Sequence, residues 1–263
     1  MKHNATVTAV GIALSMFLLA SCAPSTPPVT DEPTSVATEE ADTENSEAAE
    51  ATTAAQPAAA PQVSIGPDSV TITGSGNGET TAVELDKPYY LVTTTNAAAS
   101  DYGSVMVTVK GQELPAIMSM AAEATSVFQP PSPSVTFTIE ATGGYVLKFA
   151  GPPSTSGAAA APQTFTGAAG TVVTPVVSTK GNYVMLSLKY TGTPDENAST
   201  GVMLATAHIY DAATGDSVMN PKYVNKAKTE DSDGNTRSEP GTYFLIVTGT
   251  SAEDSWEASI TEG

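Results

Sequence analysis

From Val63 onward the chain alternates apolar and polar residues in short runs. Ser69-Val70-Thr71-Ile72-Thr73, Thr81-Ala82-Val83-Glu84-Leu85 and Tyr89-Tyr90-Leu91-Val92-Thr93 come first. Ser104–Val109, Ser134–Ile139 and Tyr145–Phe149 follow. A period of two sends one side of a pleated strand towards a core and the other towards water. Gly, Pro, Asn and Asp break the runs every 8–12 residues or so, the pattern of a β-sandwich or barrel. Gly74-Ser75-Gly76-Asn77-Gly78 reads as a hairpin turn between the first two runs. Leu114–Val127 fits less well; the expectation is a strand near Ala116–Met120 and then a loop to Pro133.

A second set of runs repeats the order. Gln163-Thr164-Phe165-Thr166-Gly167 echoes Thr71-Ile72-Thr73-Gly74, and Gly241-Thr242-Tyr243-Phe244-Leu245 echoes Gly143-Gly144-Tyr145-Val146-Leu147. Between these lie runs at Thr174–Ser178, Tyr183–Tyr190 and Val202–Tyr210, and Trp256, Ala258 and Ile260 share a face at the end. The reading is all-β: two tandem antiparallel β-sandwich (jelly-roll-like) units, residues 63–151 and 163–263, joined by a linker at 152–162. Each unit has about a hundred residues, a common domain size. One larger sandwich stays open as an alternative, and the first unit has no counterpart of the Trp256 run.

Before the strands the pattern is different. Lys2 and His3 precede an apolar stretch from Ala5 to Ala20 that is too short to span a bilayer. Prolines at 24, 27 and 28 follow, so residues 1–21 read as a cleaved signal peptide. Residues 22–62 then carry Ala, Thr, Ser, Pro and acids such as Glu39, Glu40 and Asp42, with no Lys or Arg. So few large apolar residues cannot offset ordering entropy, and the segment reads as a disordered acidic stalk. As a coil its ends would lie roughly 35 Å apart.

Leu19-Ala20-Ser21-Cys22 closes the apolar stretch and resembles the lipobox of bacterial lipoproteins. The resemblance implies that Cys22 is diacylated on sulfur with palmitate-type chains and becomes the N-terminus of a chain held on the extracytoplasmic face of the cell membrane. Two acyl chains suffice for stable anchoring. Cys22 is the only cysteine of the 263 residues, so no internal disulfide can form. The formal net charge of −18 removes the Lys/Arg phosphate contacts on which nucleic-acid binding depends. The second unit resembles secreted β-sandwich modules of the pre-peptidase C-terminal and CUB-like kind, through Phe165-Thr166-Gly167, Tyr190-Thr191-Gly192, Tyr210-Asp211, Gly241-Thr242-Tyr243 and Trp256-x-Ala258-x-Ile260. That resemblance implies adhesion, or contact with a protein or glycan, rather than catalysis.

Catalytic chemistry finds little support in the residues. His208 is the only histidine outside the predicted signal peptide, and no Gly-x-Ser-x-Gly elbow supplies a nucleophile for it. No carboxylate pair stands out for a glycosidase. Asp231, Asp233 and Asn235, around Gly234, have the spacing of calcium ligands in a loop and equally suit an acidic turn between strands. Met106, Met118, Met120, Met185, Met203 and Met219 could supply thioethers to Cu(I), but methionine also fills irregular cores, and that is the expectation here. Tyr89, Tyr90, Tyr102 and Tyr223 are the aromatics least committed to a core, and a glycan platform would draw on them. The expectation is therefore a lipid-anchored, non-catalytic binding or adhesion protein for a protein or glycan partner, with no cofactor or metal. A structural or accessory subunit of an envelope complex is the alternative, and a carboxylate-based hydrolase a distant one.

Overall fold

Strands dominate because Val, Thr, Ile and Tyr pack well on a pleated, half-buried surface. A computed structural model describes residues 59–193, 203–235, 240–250 and 255–263. The predicted signal peptide, Cys22 and residues 23–58 of the predicted stalk lie outside the described residues. No described helix is long and apolar enough to cross a membrane.

The first set of strands comprises β1 (Gln62–Ile65), β2 (Ser69–Ser75), β3 (Gly78–Glu79), β4 (Val83–Glu84), β5 (Tyr90–Asn96) and β6 (Val105–Val109). It continues with β7 (Ile117–Ser119), β8 (Glu123–Phe128), β9 (Ser134–Val135), β10 (Phe137–Ala141) and β11 (Gly144–Ala150). Strand order β1-β2-β11-β5-β8 makes one sheet and β3-β10-β6-β7 the other, while β4 pairs with β9. Alternation does what the sequence promised. Ile72, Val92, Leu147 and Phe149 of one sheet meet Val105, Val107, Phe137 and Ile139 of the other, all fully buried. Each such side chain contributes about 1.5–3 kcal/mol through burial.

The second set comprises β12 (Ala159–Ala160), β13 (Gln163–Gly167), β14 (Gly170–Val173), β15 (Val177–Thr179) and β16 (Val184–Tyr190). It ends with β17 (Ala205–Asp211), β18 (Lys222–Val224), β19 (Glu230–Asn235), β20 (Gly241–Gly249) and β21 (Trp256–Glu262). Order β12-β15-β20-β17-β18, with β14 also on β20, faces β13-β21-β16-β19. Leu186, Leu188, Ala207, Ile209, Leu245, Val247, Trp256 and Ile260 fill the space between them. Gly167 lies against the indole of Trp256, where a Cβ would occupy the ring's own position. That explains the Phe165-Thr166-Gly167 element of the repeat.

A third core joins the two sandwiches, which belong to one compact unit, Ala54–Gly263. Tyr89, Leu91 and Val127 come from the first sandwich; Val173, Val176, Ala212, Phe244 and Ile246 come from the second. The Tyr89 ring stacks on Phe244 at 6.3 Å, and its hydroxyl donates to the Ala212 carbonyl at 2.8 Å. Gly215, at φ +76°, leaves room for the same ring; a Cβ there would stand 2.5 Å from Tyr89 Cγ. β20 is therefore buried on both faces: Tyr243, Leu245 and Val247 point into the second core, Phe244 and Ile246 into the third.

Three sequence expectations change. The Gly74–Gly78 segment is not a hairpin, because β2 and β3 pair in different sheets and the glycines turn the chain from one sheet to the other. The stretch expected to loop from Met120 to Pro133 holds β8, which pairs with β5 along Tyr90–Thr95. Glu230–Asn235 is a strand paired with β16, not a loop.

Candidate functional site

Three faces of the body differ sharply in what they offer. The outer face of β13-β21-β16-β19 carries a hydroxyl row: register places Thr164 opposite Ser259, Ser259 opposite Ser187 and Ser187 opposite Ser232. Beside it Lys189 pairs with Glu230 at 3.6 Å. The outer face of β1-β2-β11-β5-β8 carries Thr71, Thr73, Thr93 and Thr125, and at its Leu91–Val127 end it is covered by the second sandwich. Met185 also points out from the β13-β21-β16-β19 face, 43% exposed, but several large soft side chains lie near one another on the outer face of β3-β10-β6-β7.

That face follows from alternation along two strands. Val105, Val107 and Val109 of β6 point inwards, so Met106 and Thr108 point outwards. Ile117 and Ser119 of β7 are buried, so Met118 points outwards, and Met120, just past the strand's end, is exposed as well. Register sets Met106 directly opposite Met118, and Glu140 of β10 opposite Met106 on its other side. Cross-strand neighbours of this kind have Cβ atoms about 4.5–5.5 Å apart, within easy reach of three-rotor side chains. Met118 is 68% exposed and Met120 59%, and Leu114, in the turn before β7, is 71% exposed. A Met-Ser-Met spacing on an alternating strand was the available signal; reading methionine as filler hid it. Thr138 and Thr108 complete the face, and beyond it Lys110 Nζ reaches Glu79 Oε1 at 2.7 Å.

The tyrosine reading is corrected in part. Tyr89 is fully buried between the sandwiches, and burial, with the Asp211 carboxylate adding to it, pushes its hydroxyl up to about 12. Tyr90 lies in the first core and donates to Asp86 Oδ1 at 3.1 Å; its hydroxyl is pushed up mainly by burial. Tyr223 is exposed, but Lys228 Nζ sits 4.1 Å over its ring and covers that side. Tyr102 projects freely, 88% exposed, from a left-handed position (φ 59°) after a short 3-10 turn. Tyr102 and Tyr223 belong to different sandwiches, so the four residues form no shared platform.

The other candidates also find places. Asp231 accepts the Tyr223 backbone N–H at 3.1 Å and pairs with Lys228 at 3.1 Å, and the backbone at Asp233 and Asn235 runs in the β16 ladder. A calcium loop needs a sharply turning backbone to wrap its oxygens round the ion, which an extended strand does not supply. No group of three or more His, Cys, Asp or Glu able to hold a metal occurs among the described residues. His208 stacks on Tyr210 at 6.1 Å on the side of β17 that faces the third core, and burial lowers its pKa. An open cleft of about 290 Å³ lies beside Tyr90, lined by Ile65, Asp68, Glu84, Asp86 and Lys87.

No family model matches the chain, and no curated protein matches it. Among solved structures it is similar to the M60 catalytic domain with the CBM51-1 and CBM51-2 domains of Clostridium perfringens ZmpB, at 9% identity and a TM-score of 0.23. That match covers 73% of this chain and 34% of the other, so this chain spans about a third of its length. It is also similar to the CUB1-EGF-CUB2 domains of rat MASP-1, at 10% identity and a TM-score of 0.20, over 76% of this chain and 96% of that one. A third likeness is to the N-terminal CBM22-1-CBM22-2 tandem domain of Paenibacillus barcinonensis Xyn10C, at 13% identity and a TM-score of 0.23, over 78% and 90%. Likenesses this remote say nothing about ligand or activity; the all-β sandwich architecture stands on the chain's own sheets and cores.

Proposed function

We propose that this chain is a lipid-anchored, extracytoplasmic, non-catalytic binding protein whose partner is another protein. The observation that carries the reading is that Leu114, Met118 and Met120, in one short stretch of chain, are each more than half exposed. Methionine adapts its shape to a partner and suits such contact surfaces. Acids flank the patch in the sequence (Glu113, Glu123) and in the sheet (Glu140), so the partner has an apolar contact rimmed by Lys or Arg. A glycan fits less well, because two of the four expected tyrosines are buried and one of the others has Lys228 over its ring. Cys22 and the acidic stalk supply the tether in this reading, and the third core holds both sandwiches as one body at its end.

Two experiments test it. Palmitate labelling should mark the chain and vanish in Cys22→Ala; label that persists in the variant refutes the anchor. Cross-linking on intact cells should recover one protein in fixed proportion, and Leu114→Asp with Met118→Asp should abolish that recovery. Unchanged recovery by the folded double variant refutes the contact surface.

A further inference from the structure

The same face holds a second chemistry, carried by sulfur rather than by apolar area. Met106 and Met118 are direct cross-strand neighbours, and Met120, exposed, follows Met118 by two residues just past the end of β7. The structure thus brings together three of the six methionines that the sequence scatters over residues 106–219, while Met185 lies on a different sheet. Thioethers are soft, neutral donors that select Cu(I) over the hard divalent cations preferring oxygen. Met106 and Met118 face each other on flexible stems, and Met118 and Met120 are exposed while Ile117 and Ser119 between and beside them are held in the core, so the three thioethers are free to turn towards one ion. Glu140, beside Met106, adds negative charge that raises the local cation concentration.

We propose that Met106, Met118 and Met120 form a binding site for a single soft monovalent cation, Cu(I), with Ag(I) as its redox-inert stand-in. Binding is simple coordination: three sulfur lone pairs replace the ion's labile ligands, and no electron or proton moves. One consequence separates this site from any carboxylate or imidazole site. Thioethers do not titrate, so affinity should hold steady as the pH falls, whereas sites built on protonatable ligands weaken. The proposal goes beyond the protein-contact reading and stands apart from it, because leucine keeps the apolar area a protein partner needs and removes only the sulfur.

The test uses the full chain titrated with Ag(I) against an ion-selective electrode, and with Cu(I) against bicinchoninate under anaerobic conditions. One equivalent should bind, with Ag(I) affinity unchanged between pH 7 and pH 5. Met118→Leu/Met120→Leu should lose that equivalent while retaining the wild-type melting temperature, since both side chains are exposed. Met185→Leu should bind as wild type does. Protein cross-linking should survive in the leucine double variant, which distinguishes failure of this site from failure of the protein-contact reading. Absence of stoichiometric binding by the wild-type chain, equal binding by the double variant, or affinity that falls with pH would each overturn the proposal.

Discussion

Tyr89 is where the two sandwiches are most directly coupled, and Tyr89→Ala puts a magnitude on that coupling. The side chain is fully buried, stacks on Phe244 at 6.3 Å and donates to the Ala212 carbonyl at 2.8 Å. Truncating a buried aromatic costs about 3–5 kcal/mol through lost transfer energy and residual cavity. Leaving the Ala212 carbonyl without its partner adds about 1–3 kcal/mol. For a body of this size, each kcal/mol lowers the melting temperature by roughly 2–4 °C, so a fall of about 10–30 °C is expected. The assay is thermal and urea unfolding followed by both circular dichroism and Trp256 fluorescence, the latter reporting only the second core. The wild-type chain should unfold in one transition by both probes. Tyr89→Ala should split it, because the loss falls on the surface that couples the sandwiches and not on the core of either. Tyr89→Phe, which keeps the stacking and loses the hydrogen bond, should cost only the smaller part and stay in one transition. An alanine variant that melts within 2 °C of wild type, in a single transition, would falsify the coupling role assigned to this residue.

Other expectations are simpler. Gly167→Val should cost about 1–3 kcal/mol or more by forcing the Trp256 indole aside, seen as a lower urea midpoint and an altered tryptophan emission. Burial lowers the His208 pKa, so the unfolded chain takes up the proton first; stability should fall as the pH drops below the ordinary histidine range, and His208→Gln should flatten that decline in urea midpoints measured across it. The Glu262 carboxylate accepts the N–H groups of Gly181 and Lys180, which hold its pKa below the usual range; Glu262→Gln should lower the melting temperature at neutral pH and converge with wild type as acidification protonates the carboxylate below the usual glutamate range.

Much of the fold was legible because most strands have one wet face. β6, β11 and β16 alternate cleanly, and each falls where its run was read, whereas Ser134–Ile139 divides between β9 and β10. β8 was missed because Glu123-Ala124-Thr125-Ser126-Val127 has no apolar alternation; it pairs along β5 by main-chain bonds and meets the second sandwich through Val127. The third core did leave a mark that was passed over. Tyr243-Phe244-Leu245-Ile246-Val247 is apolar without interruption, whereas Tyr145-Val146-Leu147-Lys148-Phe149 alternates, and a strand reads as continuous only when both faces are buried. Treating the two runs as echoes caught their shared place at the centre of a sheet and concealed what distinguishes them. Tyr89 was harder to place, since nothing in Lys87-Pro88-Tyr89-Tyr90 marks one tyrosine for a core and its neighbour for an interface. The candidate site was readable in part: the phase of Met118 and Met120 is local, but the pairing of Met118 with Met106 depends on register across the intervening turn, which the spacing alone does not fix.

The stacking of the sandwiches also bears on where ligands can reach. Leu91 and Val127 on one sheet, and Phe244 and Ile246 on another, are spent on the third core, so two of the four outer faces are wholly or partly given to holding the body together. Of the two that remain, one presents Thr164, Ser259, Ser187 and Ser232 beside the Lys189–Glu230 pair, groups that water satisfies as well as a ligand could, with Met185 as its exposed methionine. The other presents half-buried Met106 with Met118, and Met120 lies just beyond; the exposure of Met118 and Met120 leaves hydrophobic stabilisation that something placed against them would recover. Area and sulfur are separable properties of those side chains. Leucine at 118 and 120 preserves the first and deletes the second, while aspartate deletes both. A face used only for protein contact should therefore tolerate leucine in every assay, and a face used for Cu(I) should fail with leucine as completely as with aspartate.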